Sequence, residues 1–110
     1  MHSKFGKILL LAAMALAITA LGGGNAMAQD GKAMYQIKGC AACHGPDGKA
    51  PVMPNYPRLA GQNAEYMVQQ INDFKTQKRS NNLAALMFGM VAPLTEAEIK
   101  ALTDYLAAVK

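Results

Sequence analysis

At 110 residues, with a formal net charge of +4 and 16% charged side chains, the chain is long enough for one small domain and no more. Its basic excess is no nucleic-acid footprint, because the sequence holds no basic stripe with interleaved aromatics. No internal repeat or low-complexity tract follows the N-terminal segment, which excludes a solenoid or a disordered linker there.

Lys4 and Lys7 precede an apolar run from Ile8 to Leu21, interrupted only by Thr19, and Ala26-Met27-Ala28 closes the segment. That order of basic, apolar and small-residue regions predicts a cleaved export signal over residues 1–28. The run is too short for an ordinary membrane-spanning helix, so residues 29–110 are expected to work in the periplasm without a membrane anchor. Eleven Lys and Arg less Lys4 and Lys7 leaves nine, against seven Asp and Glu. So short a domain buries too little surface to be stable unaided, which predicts a bound group within its core.

Asp30 to Gly39 reads as a first helix, capped by Asp30, with Ala33, Met34 and Ile37 as its apolar side and Gly39 as its end. Tyr35 is a candidate for contact with another helix. Next come Cys40-Ala41-Ala42-Cys43-His44. The spacing C-x-x-C-H is the attachment signature of a c-type haem. Two thiols three residues apart can add to the two vinyl groups of one porphyrin, and His44 can then offer Nε2 to the iron as an axial ligand. Other uses of the pair are weaker. A structural zinc needs four ligands, and the fourth here would be His2, inside the export signal. A thioredoxin-like pair needs a βαβ setting, and none is visible.

From Gly45 to Gly61 proline and glycine dominate, and no regular structure is expected. Such a loop can aim a backbone carbonyl at Nδ1 of His44 and so fix the ring; Pro51 and Pro54 are the two candidate donors of that carbonyl. Leu59 is a candidate for haem contact or for ordinary core packing. Asn63 to Thr76 forms a second substantial helix, with Tyr66, Met67, Gln70, Ile71 and Phe74 on one side. Lys75, Lys78 and Arg79 follow as a small basic cluster, either solvated at the helix end or, for Arg79 above all, in contact with a haem propionate or a partner.

Asn81 to Pro93 is read as a loop carrying Met87 and Met90. Either could fill a packing gap or supply the sixth iron ligand, and an open site is the alternative. His44 is the only histidine of residues 29–110, so a second histidine ligand is excluded. The last helix is the best marked. Thr95 with Glu98 forms a capping box behind Leu94 as a staple, and Ile99, Leu102, Tyr105, Leu106 and Val109 form its buried stripe. Strand patterning is absent, and the expected fold class is all-α.

These residues together resemble a small class I cytochrome c, of the bacterial c-553 type and similar to one domain of the dihaem cytochromes c4. The resemblance rests on Cys40 to Gly45, on Asn55-Tyr56-Pro57-Arg58-Leu59-Ala60-Gly61-Gln62, on Tyr66 and Gln70, and on Leu94-Thr95 through Tyr105-Leu106. It implies N- and C-terminal helices crossing around one haem c, covalent through Cys40 and Cys43. It also implies His44 as proximal ligand and a distal methionine in the loop before the last helix. Met87 stands at the family's spacing from Thr95 and Met90 does not, so the expected cofactor-binding residues are Cys40, Cys43, His44 and Met87, the last two on the metal. The implied function is one-electron transport by a monomer that is not an enzyme. Its implied partners are periplasmic or membrane-bound redox proteins: a quinol-oxidising complex, a dehydrogenase, a terminal oxidase or reductase. A haem protein that binds or senses ligands at an open sixth site, and a fixed electron-transfer subunit of a larger periplasmic enzyme, are the competing readings.

Overall fold

The computed structural model describes residues 30–110; the expected export signal lies outside them. Helix α1 (Gly31–Ile37) starts where the Asp30 side chain accepts a hydrogen bond from the Ala33 N–H at 3.1 Å. A short α2 (Ala41–His44) carries the attachment motif, and a single 3-10 turn over Pro46–Gly48 opens the loop that follows. Helices α3 (Ala64–Lys75), α4 (Ala85–Val91) and α5 (Glu96–Ala108) complete the order. Among the described residues there is no strand, and no helix is long and apolar enough to cross a membrane. The fold is all-α.

The first and last helices meet at Gly31. A Cβ there would collide with the Ala101 carbonyl oxygen and lie 2.6 Å from the Tyr105 Cβ, so only glycine lets the two backbones approach this closely. Around the crossing, the Tyr35 and Tyr105 ring centroids are 6.0 Å apart, and Lys38 pairs with Glu98 at 3.5 Å. The capping box is present in full, with the Glu98 N–H on Thr95 Oγ1 at 3.1 Å and the Thr95 N–H on Glu98 Oε1 at 3.0 Å.

Three details depart from the sequence reading. Ile37 is 73% exposed, while Gly31, Met34 and Tyr35 are buried. The buried face centres between positions 34 and 35, and at 100° per residue Ile37 stands about 110° away from it. Val109 falls beyond the last turn of α5, and its place in the core is taken by Thr103, fully buried with its hydroxyl donating to the Lys100 carbonyl at 3.1 Å. A hydroxyl satisfied within its own helix can be buried without an orphaned donor. Finally, the segment expected as a loop with Met87 contains helix α4. Its Ala-Leu-Met-Phe composition favours a helix, and Pro93 stops it soon after.

Helix α3 packs against both α4 and α5. Its cap is Asn63, which accepts from the Tyr66 N–H at 2.9 Å. Of its expected apolar side, Met67 and Phe74 are buried and Tyr66 is 48% exposed. The side is real, but it looks into a cavity rather than onto another helix.

Candidate functional site

A cavity of about 880 Å³ lies between the end of α1, the attachment motif, the proline-rich loop and helices α3, α4 and α5. That is near the upper end of the volumes common for bound small molecules, roughly 300–1,000 Å³. All five residues of the α3 side, Tyr66, Met67, Gln70, Ile71 and Phe74, line it, together with Val91, Leu94, Leu102 and Leu106. The fold thus encloses a large, chiefly apolar space with a few polar groups at its wall.

Cys40, Cys43 and His44 all line this cavity. Cys40 has helical backbone angles and the His44 N–H bonds to its carbonyl at 3.0 Å. The three side chains therefore share one helical turn, at offsets of three and four residues, which places them on one face. Both cysteines are unbridged, Cys40 half-buried and Cys43 exposed. Burial pushes the Cys40 thiol above its ordinary pKa. Among the described residues no group of three or more His, Cys, Asp or Glu side chains is disposed to share a metal ion, so a cluster of the zinc type has no support.

His44 is 7% exposed, and its Nδ1 lies 2.9 Å from the carbonyl oxygen of Pro57. The sequence reading placed this carbonyl at Pro51 or Pro54, and the structure corrects it to Pro57. The reason is the path of the loop. The Val52 N–H bonds to the Cys43 carbonyl at 3.0 Å, and a turn closes from Met53 to Tyr56 at 3.1 Å. The chain then returns so that the Leu59 and Ala60 N–H groups share the Gly48 carbonyl at 2.9 and 3.1 Å. Pro57 lies on that return leg. A carbonyl can only accept, so Nδ1 carries the proton and donates, which leaves Nε2 with its lone pair free.

The turn after His44 is held from behind. Gly45 takes φ +80°, and its carbonyl accepts a 2.6 Å hydrogen bond from the buried Tyr35 hydroxyl. Two residues on, Asp47 accepts from the Tyr105 hydroxyl. Burial first, and then the Asp47 hydrogen bond, raises the Tyr105 pKa to about 12.

Met87 is half-buried and Met90 is 43% exposed. Both sit on α4, three residues apart, and both line the cavity. The structure thus brings Met87 to the same space as Cys40, Cys43 and His44, and brings its competitor there as well. Leu83 and Leu86, which the sequence reading did not single out, flank the methionines and line the cavity too, at 43% and 58% exposure. Their signal was available in the sequence: two leucines three residues apart, just before Met87, in a run without a polar residue.

Among the described residues the cations lining the cavity are Lys38, Arg58 and Arg79, and no Asp or Glu lines it. Lys38 is engaged by Glu98. The wall is therefore positively charged overall, a setting that favours a bound group with carboxylates of its own.

Comparison with known proteins agrees with this architecture. The family described as "Cytochrome c" matches residues 28–110. The chain is 47% identical over 68 residues to cytochrome c4 of Thiocapsa roseopersicina, covering 62% of this chain and 33% of that protein. It is 31% identical over 101 residues to cytochrome c-553 of Nitratidesulfovibrio vulgaris, covering 92% of this chain and 97% of that protein. Among solved structures, reduced recombinant cytochrome c4 from Pseudomonas stutzeri superposes with a TM-score of 0.64 at 28% identity, over 78% of this chain and 50% of that one. The chain spans about half the length, or less, of the cytochromes c4 it matches.

Proposed function

The chain belongs to the cytochrome c family, and on that premise we propose that it is a periplasmic one-electron carrier whose haem iron is held between His44 and Met87. It carries a single haem c, bound covalently through its two cysteines. Members of the family are electron-transfer proteins rather than enzymes. The residues present fit the group: an attachment pair on one helical turn, an apolar cavity of suitable size, and unopposed positive charge at its wall.

The observation that carries the His44 assignment is the 2.9 Å bond from His44 Nδ1 to the Pro57 carbonyl. It fixes the tautomer and the ring plane, and makes Nε2 a better donor to the metal. Met87, on α4 at the same cavity, would supply the second side-chain ligand. Bound haem iron takes up and releases one electron between its ferric and ferrous states. Two side-chain ligands would keep oxygen and peroxide off the metal, and a thioether among them would raise the reduction potential. A cavity walled by protein on several sides also limits reorganisation of solvent around the site. The donors and acceptors that suit such a carrier are a quinol-oxidising complex or dehydrogenase on one side and a terminal oxidase or reductase on the other.

The test separates the two methionines. Oxidised protein should show the weak far-red absorption of a thioether–ferric iron bond and, once reduced, bind carbon monoxide poorly. Met87→Ala should abolish the band, lower the potential and admit carbon monoxide. Met90→Ala should keep the band. The reverse pattern would move the ligand to Met90, and a wild type without the band that takes up carbon monoxide would replace the carrier by a ligand-binding protein.

The exposure of Leu83, Leu86 and Met90 beside the cavity favours one second reading, a carrier docked permanently on a larger periplasmic enzyme. Native purification separates it from a free monomer.

A further inference from the structure

The helix that carries both methionines has little of its own to hold it in place. It is seven residues long, no side-chain hydrogen bond caps its N-terminus, and Gly89 lies in its interior. A helix this short is marginal by itself, and an interior glycine weakens it further. Leu86, Gly89 and Met90 are exposed, Met87 and Phe88 are half-buried, and only Val91 is buried. The position of α4 therefore depends on how its ends are tied.

Its exit is tied through one residue. The Leu94 N–H bonds to the Val91 carbonyl at 3.0 Å, which continues α4 to that point. The Leu94 carbonyl accepts a 2.5 Å hydrogen bond from Lys75 Nζ, in the last turn of α3. Thr95, the next residue, caps α5. Leu94 thus joins three helices, and it is itself buried and lines the cavity. Its carbonyl has no use within α5, whose Ile99 N–H goes to Thr95 instead. Among the described residues Lys75 is its donor, and an acceptor on a buried residue left without a partner is costly.

The cation has no carboxylate to explain it. Among the described residues the ion pairs are Lys38 with Glu98 and Lys100 with Asp104, and neither includes Lys75. The C-terminal end of α3 favours a positive charge, but that field asks nothing of where the side chain goes. Lys78, three residues on, is exposed. Lys75 instead is half-buried and reaches a carbonyl nineteen positions away. A charged donor makes a bond roughly twice as strong as a neutral one, which suits a tie between segments.

We propose that Lys75 is a positioning residue for the methionine ligand of the iron. By latching Leu94 to α3 it holds the exit of α4, and so restrains whichever methionine that helix presents. This rests on the proposed methionine ligation and is indifferent to the choice between Met87 and Met90. Losing the latch leaves the thioether attachment at Cys40 and Cys43 and the α1–α5 crossing untouched, and loosens the α4 side alone.

The experiment uses the haem-loaded protein. Imidazole is added to the ferric form, and its limiting rate of entry is followed by loss of the far-red band. Far-UV circular dichroism gives the denaturant midpoint of the same samples. Lys75→Met keeps the side chain's length and removes its donor. It should raise the limiting rate roughly tenfold, the equivalent of one charge-assisted hydrogen bond. Lys75→Gln, too short to reach as lysine does, replaces it with the same expectation if Lys75→Met retains no haem. Lys75→Arg keeps a cationic donor and should stay close to the wild-type rate. Gly31→Ala, at the α1–α5 crossing, should lower the midpoint and leave the rate unchanged. A rate insensitive to loss of the lysine overturns the latch alone. So does a Lys75→Arg rate as fast as that of Lys75→Met, or a Gly31→Ala rate raised as much, since ligand release would then follow general stability. A wild type without the far-red band overturns the methionine ligand, and the latch with it.

Discussion

The molecule has two sides built on different terms. Where α1 crosses α5, protein closes on protein: Gly31 admits the backbone of Ala101, Tyr35 and Ile99 are fully buried, and even Thr103 finds its partner within its own helix. Where α3 and α4 face the attachment motif, the same kinds of side chain line a cavity of about 880 Å³, and Leu83, Leu86, Met90 and Tyr66 stand substantially exposed. The difference teaches that this chain encodes only part of its core. One side carries its own packing, and the other is shaped for the haem that the two cysteines bind.

The comparison is broken most severely by taking the cofactor away. With Cys40→Ser and Cys43→Ser together the cavity side has nothing to close on, and a domain this small has little stability in reserve. The expected product has lost its fixed tertiary packing, retaining at most transient helix in α3 and α5. A haem-free double variant with sharp, dispersed amide signals would show that the α1–α5 side suffices by itself.

A smaller effect is expected from damage to the self-packed side with the haem in place. Gly31→Ala puts a methyl group into the Ala101 carbonyl, and because the obstacle is backbone it cannot rotate away. The cost should be about 3 kcal/mol, the upper end of ordinary overpacking, read as a lower denaturant midpoint with an unchanged haem spectrum. A loss below about 0.5 kcal/mol would mean that the helices can slide past each other.

The smallest effect concerns the link between the two sides, the tyrosines that brace the turn after His44. Burial, with a lesser contribution from the Cys40 thiolate, pushes Tyr35 from 10.0 to about 12; Tyr105 is raised to about 12 as well. The Cys40 contribution disappears once that sulfur is in a thioether, and burial remains. A phenol that holds its proton more tightly when folded contributes stability that is complete below its unfolded pKa. Stability should therefore be flat up to about pH 10 and fall as the pH rises toward 12. Tyr105→Phe should cost about 1 kcal/mol at neutral pH and make the alkaline fall shallower, as followed by denaturant titration at several pH values. An alkaline limb identical to wild type would remove Tyr105 from the account.

Much of this was legible in the residues in order. Local rules place the caps at Asp30 and Thr95, because each depends on a side chain meeting an N–H three residues away. They place the attachment motif on a turn of helix, and they identify the stripe on α3 from its spacing. What spacing could not say is that this stripe lines a cavity: periodicity reports which face is apolar, and the neighbour of that face is a matter of the whole fold. For the same reason the carbonyl for His44 had to be found in the structure. Pro51, Pro54 and Pro57 are chemically alike, and only the return of the loop onto Gly48 brings Pro57 within 2.9 Å. Arg79 is a third such case: its residue type could single it out from Lys75 and Lys78, but only the positive φ at Gln77 carries it back over Phe74. The sequence by itself determined what forms within a few residues, the helices, their caps and the thiol pair. Tertiary structure decided which of several equivalent groups reaches the haem cavity, because that choice depends on distances between segments far apart in the chain.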